Sequence, residues 1–331
     1  MRLRGEDALL SWLRGRLDRP LIGDDAAVLP RPGPFAVTVD SQIAGVHFPA
    51  DLDSAAVARR LLAVNLSDLA AMGAEPAFAF LALAAPPGFD HKRFFRALLA
   101  ACARYRLRLA GGDLATSPAA GAIATMTLLG TKAAKARWLR RGGAEPGHVL
   151  WLGGTVGESA AGRLLIGGGA RLAGRRIELP ALPSAWSHSP GLAAAARRAV
   201  RRHLLPAPQL ELGRWLGGAG AGGAIDVSDG LSRDLHRLCR ESSAGAEVSA
   251  EALPLPERFA PLCAGLGVDP RELALSGGED YVLLFTLPPG VTPAPRFACH
   301  RIGTITRGKR ILLRRGGRRD DLPALGWDHL G

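Results

Sequence analysis

Carboxylates recur in this chain where an apolar run breaks into a short Gly/Asp turn. The segments are IGDDAAV at 22–28, TVDSQIAGVHF at 38–48, NLSDLAAMGAEP at 65–76, LAGGDLATS at 109–117, AIDVSDG at 224–230 and LSGGEDY at 275–281. A carboxylate at the end of a buried strand is costly unless an ion or a hydrogen-bond donor meets it. Spread over both halves of the chain, six such segments suggest one pocket that holds cations and a phosphorylated compound. Mg2+ takes oxygen ligands and usually only one or two carboxylates per ion, with water and phosphate completing the shell. Six aspartates would therefore serve several ions. That suits a reaction in which two anionic substrates must approach each other. Glycine accompanies most of the segments: Gly111 and Gly112 precede Asp113, and Gly277 and Gly278 precede Glu279 and Asp280. Backbone without a Cβ lets a phosphate reach main-chain N–H groups.

Taken singly, each aspartate has an ordinary explanation. Asp24 and Asp25 fit a turn. Asp68 fits a solvated helix face, Asp40 a strand end, and Asp226 and Asp229 the cap of a helix starting at Leu231. Arg141 fits a surface arginine, His47 a satisfied structural histidine, and Trp327 an anchor for the C-terminal tail. The set carries more weight than its members. Two better-known phosphate motifs do not apply. GAGAGG at 218–223 satisfies GxGxxG, but a helical segment precedes it and a strand follows, the reverse of a dinucleotide fingerprint. GTITRGKR at 303–310 nearly matches a P-loop, but Arg310 stands where a Mg2+-binding Ser or Thr is needed, and flanking strand signals predict a hairpin turn.

The elements that must position these residues follow from periodicity. A charged, amphipathic N-terminal stretch predicts a helix over 6–17 and lacks a signal-peptide core. Strands are predicted at 35–40, 77–84 and 122–130, and helices at 54–73, ending at Gly73, and at 89–106. A basic, Gly/Pro-ended seam at about 131–147 separates this half from a second αβ series. There, HVLWLGG, AIDVS, YVLLFTL and segments around 299–314 read as strands, and GESAAGRLLI, GLAAAARRAVRRHLL and LSRDLHRLCRESS as helices. The 331-residue length suggests two domains. No apolar stretch is long enough to span a bilayer. The four cysteines lie far apart without metal spacing and read as core thiols of a reducing cytoplasm. The formal charge of +12 points to an anionic partner, or to arginine-rich solvated faces. The basic runs lack interleaved aromatics, so neither nucleic acid nor membrane is expected as a partner.

IGDDAAVL, AGVHF, AVNLSDLAAMGAEP, GGD, AIDVSDG and LSGGEDY, in this order, resemble the thiamine-monophosphate kinases, of the superfamily that includes aminoimidazole ribonucleotide synthetase. The resemblance runs almost end to end, from Gly5-Glu6 to GWDHL at 326–330. It implies an α/β (α+β) fold of two domains. Residues 1–137 would form a metal- and ATP-binding domain whose sheet pairs across a homodimer, and 138–331 an α/β domain completing an active site in the cleft between them. It implies ATP-dependent phosphorylation of thiamine monophosphate to thiamine diphosphate, in the cytoplasm, with several Mg2+ ions. Asp25, Asp40, Asp68, Asp113, Asp226 and Asp229 would bind Mg2+, with oxygens from Thr38 and the Val39 carbonyl. Gly112, Asp113, Arg141 and Ser228 would contact ATP, and His47, Glu279 and Trp327 thiamine phosphate. Asp40, Asp113 and Arg141 would carry the catalytic charge neutralisation. The chain departs from the family pattern at Val39, where Thr or Ser is common, at Ala44, where an acid is common, and at Val282, where Glu is frequent. The alternatives are another ATP-dependent synthetase of the superfamily and a non-catalytic basic nucleotide-binding protein. A selenophosphate synthetase would carry a reactive cysteine near its N-terminus, and here the first is Cys102.

Overall fold

The computed structural model describes residues 12, 15–16, 33–118, 121–179 and 190–327. The expected helix at 6–17 lies largely outside them, as do Asp24, Asp25 and the last four residues. The chain divides into two compact units, Met1–Leu69 with Glu75–Thr131, and Ala70–Ala74 with Lys132–Gly331.

The first unit is a four-stranded sheet backed by two helices. In chain order it holds β1 (Ala36–Ile43), α1 (Ser54–Ala71), β2 (Glu75–Ala85), α2 (His91–Arg104), β3 (Arg108–Thr116) and β4 (Ile123–Thr131), with strand order β1-β4-β2-β3. β2 and β3 run parallel and the other pairs antiparallel. Both helices start on aspartate caps: the Asp53 carboxylate accepts from the Ala55 N–H and the Asp90 carboxylate from the Arg93 N–H. Gly73, in the left-handed region at φ 65°, ends the first helical run. Leu61, Leu62, Leu66, Phe94 and Leu98 are buried, as are Leu81, Leu83, Met126 and Leu128 of the sheet.

Alternation in β1 sorts its residues to two faces. Thr38, Asp40 and Gln42 stand in register with Leu128, Met126 and Ala124, the buried row of β4. Val37 and Val39 point the other way and are 60% and 57% exposed, with Ile123 at 40% on the same face.

The second unit is built on a seven-stranded sheet. Its elements are β5 (Val149–Leu152), α3 (Glu158–Gly167), β6 (Arg171–Ala173), β7 (Arg176–Glu178), α4 (Pro190–Leu204), α5 (Leu210–Gly218), β8 (Ala224–Asp226), α6 (Leu231–Glu241), β9 (Gly245–Ser249), α7 (Phe259–Leu266), α8 (Pro270–Ser276), β10 (Leu283–Leu287), β11 (His300–Thr306), β12 (Ile311–Arg315) and β13 (Arg318–Asp321). The large sheet has the order β13-β12-β9-β11-β5-β10-β8, and β6 and β7 form a separate pair. Its core gathers Leu150, Leu152, Ile225, Val227, Leu235, Val248, Leu284 and Ile302.

The turn at 307–310, expected from sequence to close a hairpin, does not, because β9 lies between β11 and β12 and pairs with both. The Ala246 N–H donates to the Arg310 carbonyl, so the turn wraps the end of β9. Two adjacent strand signals with a glycine between them look the same in sequence whether the strands pair directly or straddle a third.

Candidate active site

The first unit brings polar residues together between β1 and α1. The Thr38 hydroxyl donates to the Asp68 carboxylate at 2.5 Å, the Asp40 N–H to Asn65 Oδ1 at 3.1 Å, and Arg60 Nε to Gln42 Oε1 at 2.7 Å. Arg60, Asn65 and Ser67 are buried, while Asp40 and Asp68 are half-buried. Buried polar groups are tolerable when each is hydrogen-bonded, and such networks fix geometry. Here the network sets the backbone of Asp40 and the carboxylate of Asp68 on one face. Asp68 is thus a helix residue turned to the sheet, not to solvent.

Asp113 is exposed on β3, paired with Ala82, in the row next to the one that holds Asp40, Met126 and Leu81. Gly112 pairs with Leu81, and a Cβ at Gly112 would collide with the Leu81 carbonyl oxygen. Only glycine fits there. His47 follows a tight turn in which its own N–H donates to the Ile43 carbonyl at 2.9 Å. Its Nδ1 accepts from the Ile43 N–H at 3.0 Å, so the neutral ring keeps its hydrogen on Nε2.

In the second unit, β8 delivers Asp226, and a loop carries Ser228 and Asp229 to α6. Asp234, buried in the first turn of that helix, accepts from the N–H groups of Ser228 at 3.0 Å and Asp229 at 3.1 Å. Arg237, one turn on, reaches Asp229 at 2.6 Å and Asp234 at 2.7 Å. Burial, with the charges of Asp226 and Asp229, raises the Asp234 carboxyl to about 7, and Arg237 opposes the shift. Two carboxylates, those of Asp229 and Asp234, thus share one guanidinium, and the Asp226 charge acts on Asp234 beside them.

Two segments brace this loop. Glu279 N–H donates to the Ser228 carbonyl at 2.6 Å and Tyr281 N–H to the Val227 carbonyl at 2.9 Å. From the tail, the Trp327 N–H donates to the Asp229 carbonyl at 2.9 Å, and its side chain is 54% exposed. AIDVSDG, LSGGEDY and the tail are therefore one assembly. Glu279 is half-buried, 3.1 Å from the His203 ring. Asp280 is fully buried and caps α3, accepting from Gly157 N–H at 2.6 Å and Ser159 N–H at 3.1 Å. Burial raises its carboxyl to about 6, against those donors and the Arg202 charge. Arg141 is exposed, and its carbonyl accepts from the Ser242 hydroxyl at 3.1 Å.

Thr38, Asp40 and Asp68 therefore share one place, and Asp226, Ser228, Asp229, Glu279 and Trp327 another. Asp25 falls outside the described residues. Among the described residues no three His, Cys, Asp or Glu side chains are arranged to hold a metal ion by themselves. The sequence reading missed Asn65, Asp234, Arg237 and His203. Asn65 and Asp234 had a signal: one lies three residues before Asp68, the other opens the helix after AIDVSDG. The helix signal at 191–205 gave no hint that His203 faces Glu279.

Residues 23–131 match the family model described as AIR synthase related protein, N-terminal domain. Thiamine-monophosphate kinase of Escherichia coli K12 is 37% identical over 282 residues, covering 82% of this chain and 78% of that protein. The enzyme of that name from Aquifex aeolicus is 31% identical over 294 residues, covering 87% and 88%. A solved structure of AaThiL complexed with AMPPCP and TMP has a TM-score of 0.75 at 28% identity, covering 99% of both chains. Hydrogenase maturation protein HypE, at 19% identity and a TM-score of 0.72 over 98% of this chain and 96% of its own, shares the fold.

Proposed function

The chain belongs to the thiamine-monophosphate kinase family, and from that premise we propose how its residues convert ATP and thiamine monophosphate into ADP and thiamine diphosphate. A phosphate oxygen of thiamine monophosphate attacks the γ-phosphorus of ATP in line, and the bond to the β-phosphate oxygen breaks as ADP leaves. The acceptor is already ionised at neutral pH and needs no strong base. Its difficulty is repulsion between two anions, so alignment and charge neutralisation carry the rate.

The observation that carries this reading is the pair of carboxylate clusters, one set by Thr38, Asn65 and Asp68 around Asp40, the other by Asp229 and Asp234 around Arg237, with the Asp226 charge acting on Asp234. Their all-oxygen donors suit Mg2+, which keeps water and phosphate among its ligands. Asp25, Asp40, Asp68, Asp113, Asp226 and Asp229 would hold the ions, with Thr38 and the Val39 carbonyl. Bound Mg2+ would neutralise the phosphate oxygens. Ser228 and the Cβ-free backbone at Gly112 would meet ATP, and Arg141 would offer its planar fork to a phosphate. His47, Glu279 and the exposed Trp327 indole would meet thiamine phosphate, whose thiazolium cation is attracted to an anion and to an aromatic face.

The outer face of the first sheet, with Val37, Val39 and Ile123, would pair with its copy in a homodimer. Light scattering that reads a single chain's mass at micromolar concentration would contradict that pairing. All four cysteines are free, which fits a reducing compartment, and among the described residues no helix is long and apolar enough to cross a membrane.

Asp40→Asn and Asp113→Asn test the assignment. Each lowers turnover by two or more orders of magnitude while circular dichroism and melting temperature hold. Near-normal turnover of either folded variant at saturating Mg2+ would remove that residue from the ligand set.

A further inference from the structure

The loop bearing Glu279 is held in an unfavourable backbone. Glu279 has φ of 57° and Tyr281 of 50°, the left-handed region that disfavours side-chain-bearing residues. Such a conformation persists where surrounding contacts over-determine it. Besides the Ser228 and Val227 carbonyls, which accept from the Glu279 and Tyr281 N–H groups, those contacts come from two helices. The N-terminus of α3 takes the Asp280 carboxylate on the N–H groups of Gly157 and Ser159. The last turn of α4 supplies two consecutive side chains. Arg202 Nη2 donates to the Asp280 carbonyl at 2.7 Å, and His203 Nδ1 lies 3.1 Å from Glu279 Oε2.

His203 is 3% exposed, and its Nδ1 also lies 3.2 Å from the Ser159 hydroxyl. A carboxylate oxygen only accepts, so Nδ1 carries the hydrogen toward Glu279. That fixes the ring's tautomer and aims the Glu279 carboxylate from behind. The Glu279 side chain keeps 22% of its surface open to solvent. The Glu279 side chain and the backbone of the next residue, Asp280, are thus gripped by adjacent residues of one helix.

We propose that Arg202 and His203 form a latch that positions Glu279 for the thiamine end of the substrate. The proposal rests on the reading of Glu279 as a thiamine-phosphate contact. Neither side chain touches substrate. Both act through the 279–280 backbone and the Glu279 carboxylate, and a misplacement of about 1 Å is enough to matter. The latch favours the substrate that Glu279 meets and leaves ATP binding alone.

The test uses the full chain with His203→Phe, which keeps bulk and loses the donor, His203→Asn, which keeps a donor near the Nδ1 position, Glu279→Gln and the His203→Phe/Glu279→Gln double variant. His203→Phe raises the KM for thiamine monophosphate about tenfold, leaves that for ATP within twofold, and speeds hydrogen exchange of the Glu279 amide at least tenfold. His203→Asn restores the KM to within about threefold of the parent. In the double variant, His203→Phe adds less than twofold to the effect of Glu279→Gln. Unchanged exchange at Glu279 in His203→Phe overturns the latch, whatever the kinetics. Faster exchange with a normal KM in Glu279→Gln keeps the latch but overturns its link to the substrate. Equal rises in both KM values with a lowered melting temperature reduce His203 to a packing residue and overturn the proposal.

Discussion

At the scale of single residues, chemistry rests on how carboxylates are answered. Asp229 and Asp234 meet Arg237, Asp68 meets a hydroxyl, and Asp280 meets two N–H groups at the start of α3. Asp280 has a measurable consequence. Its carboxyl is raised to about 6, so the folded state binds its proton more tightly than the unfolded chain does. Stability from this group is therefore highest in acid and declines as pH rises from the unfolded value near 4 through 6. Between pH 4 and 7 the decline is about 2 kcal/mol. Asp280→Asn lacks this titration, so denaturant unfolding of the variant and the parent across that range should show the variant gaining by roughly that amount relative to the parent. A constant difference would mean that Asp280 is ionised at all these pH values. The aspartates of the motifs were legible in sequence because each lies in a short segment that also holds glycine, although Asp40, Asp68 and Asp113 stand within β1, α1 and β3 and not in turns. Their partners were not, since hydrogen bonds such as Asp40 to Asn65 and Glu279 to Ser228 join residues distant along the chain.

At the scale of elements, the turns and strands hold these groups by close approach. The β2–β3 pair shows it best. β3 passes Leu81 at Gly112 with no room for a Cβ. Gly112→Ala should therefore displace β3, destabilise the protein by about 3 kcal/mol or more, and carry Asp113 with it. Thermal melts and turnover at a temperature well below the melt check this together. An unchanged melting temperature would show that the strand yields at no cost. Most elements were readable from periodicity: β1, α1, β2, α2 and β4 begin and end within two or three residues of expectation. The reason is that their apolar residues face one core at a fixed period. Strand order was not readable, because β9 enters between β11 and β12 through pairing that no local signal records. The all-exposed β13 edge, RRDD, is legible in hindsight as a charged strand that resists pairing with another chain.

At the scale of the whole molecule, the chain carries a formal charge of +12, from 42 Lys and Arg against 30 Asp and Glu. Net charge of this kind bears on solubility and encounter with anions, not on the fold. The relatives match over four-fifths of the chain and the AaThiL structure over 99%. The ATP γ-phosphoryl group is expected to pass straight to thiamine monophosphate, with carboxylate-held Mg2+ and no phosphorylated protein. The chain is incubated with γ-labelled Mg-ATP and thiamine monophosphate, quenched in acid at successive times, and separated into nucleotide, thiamine and protein fractions. Label is expected in thiamine diphosphate, equal in moles to the ADP formed, with none on the protein at any time. ADP formation without labelled thiamine diphosphate, or label that appears on the protein and chases into product at the rate of turnover, would contradict it.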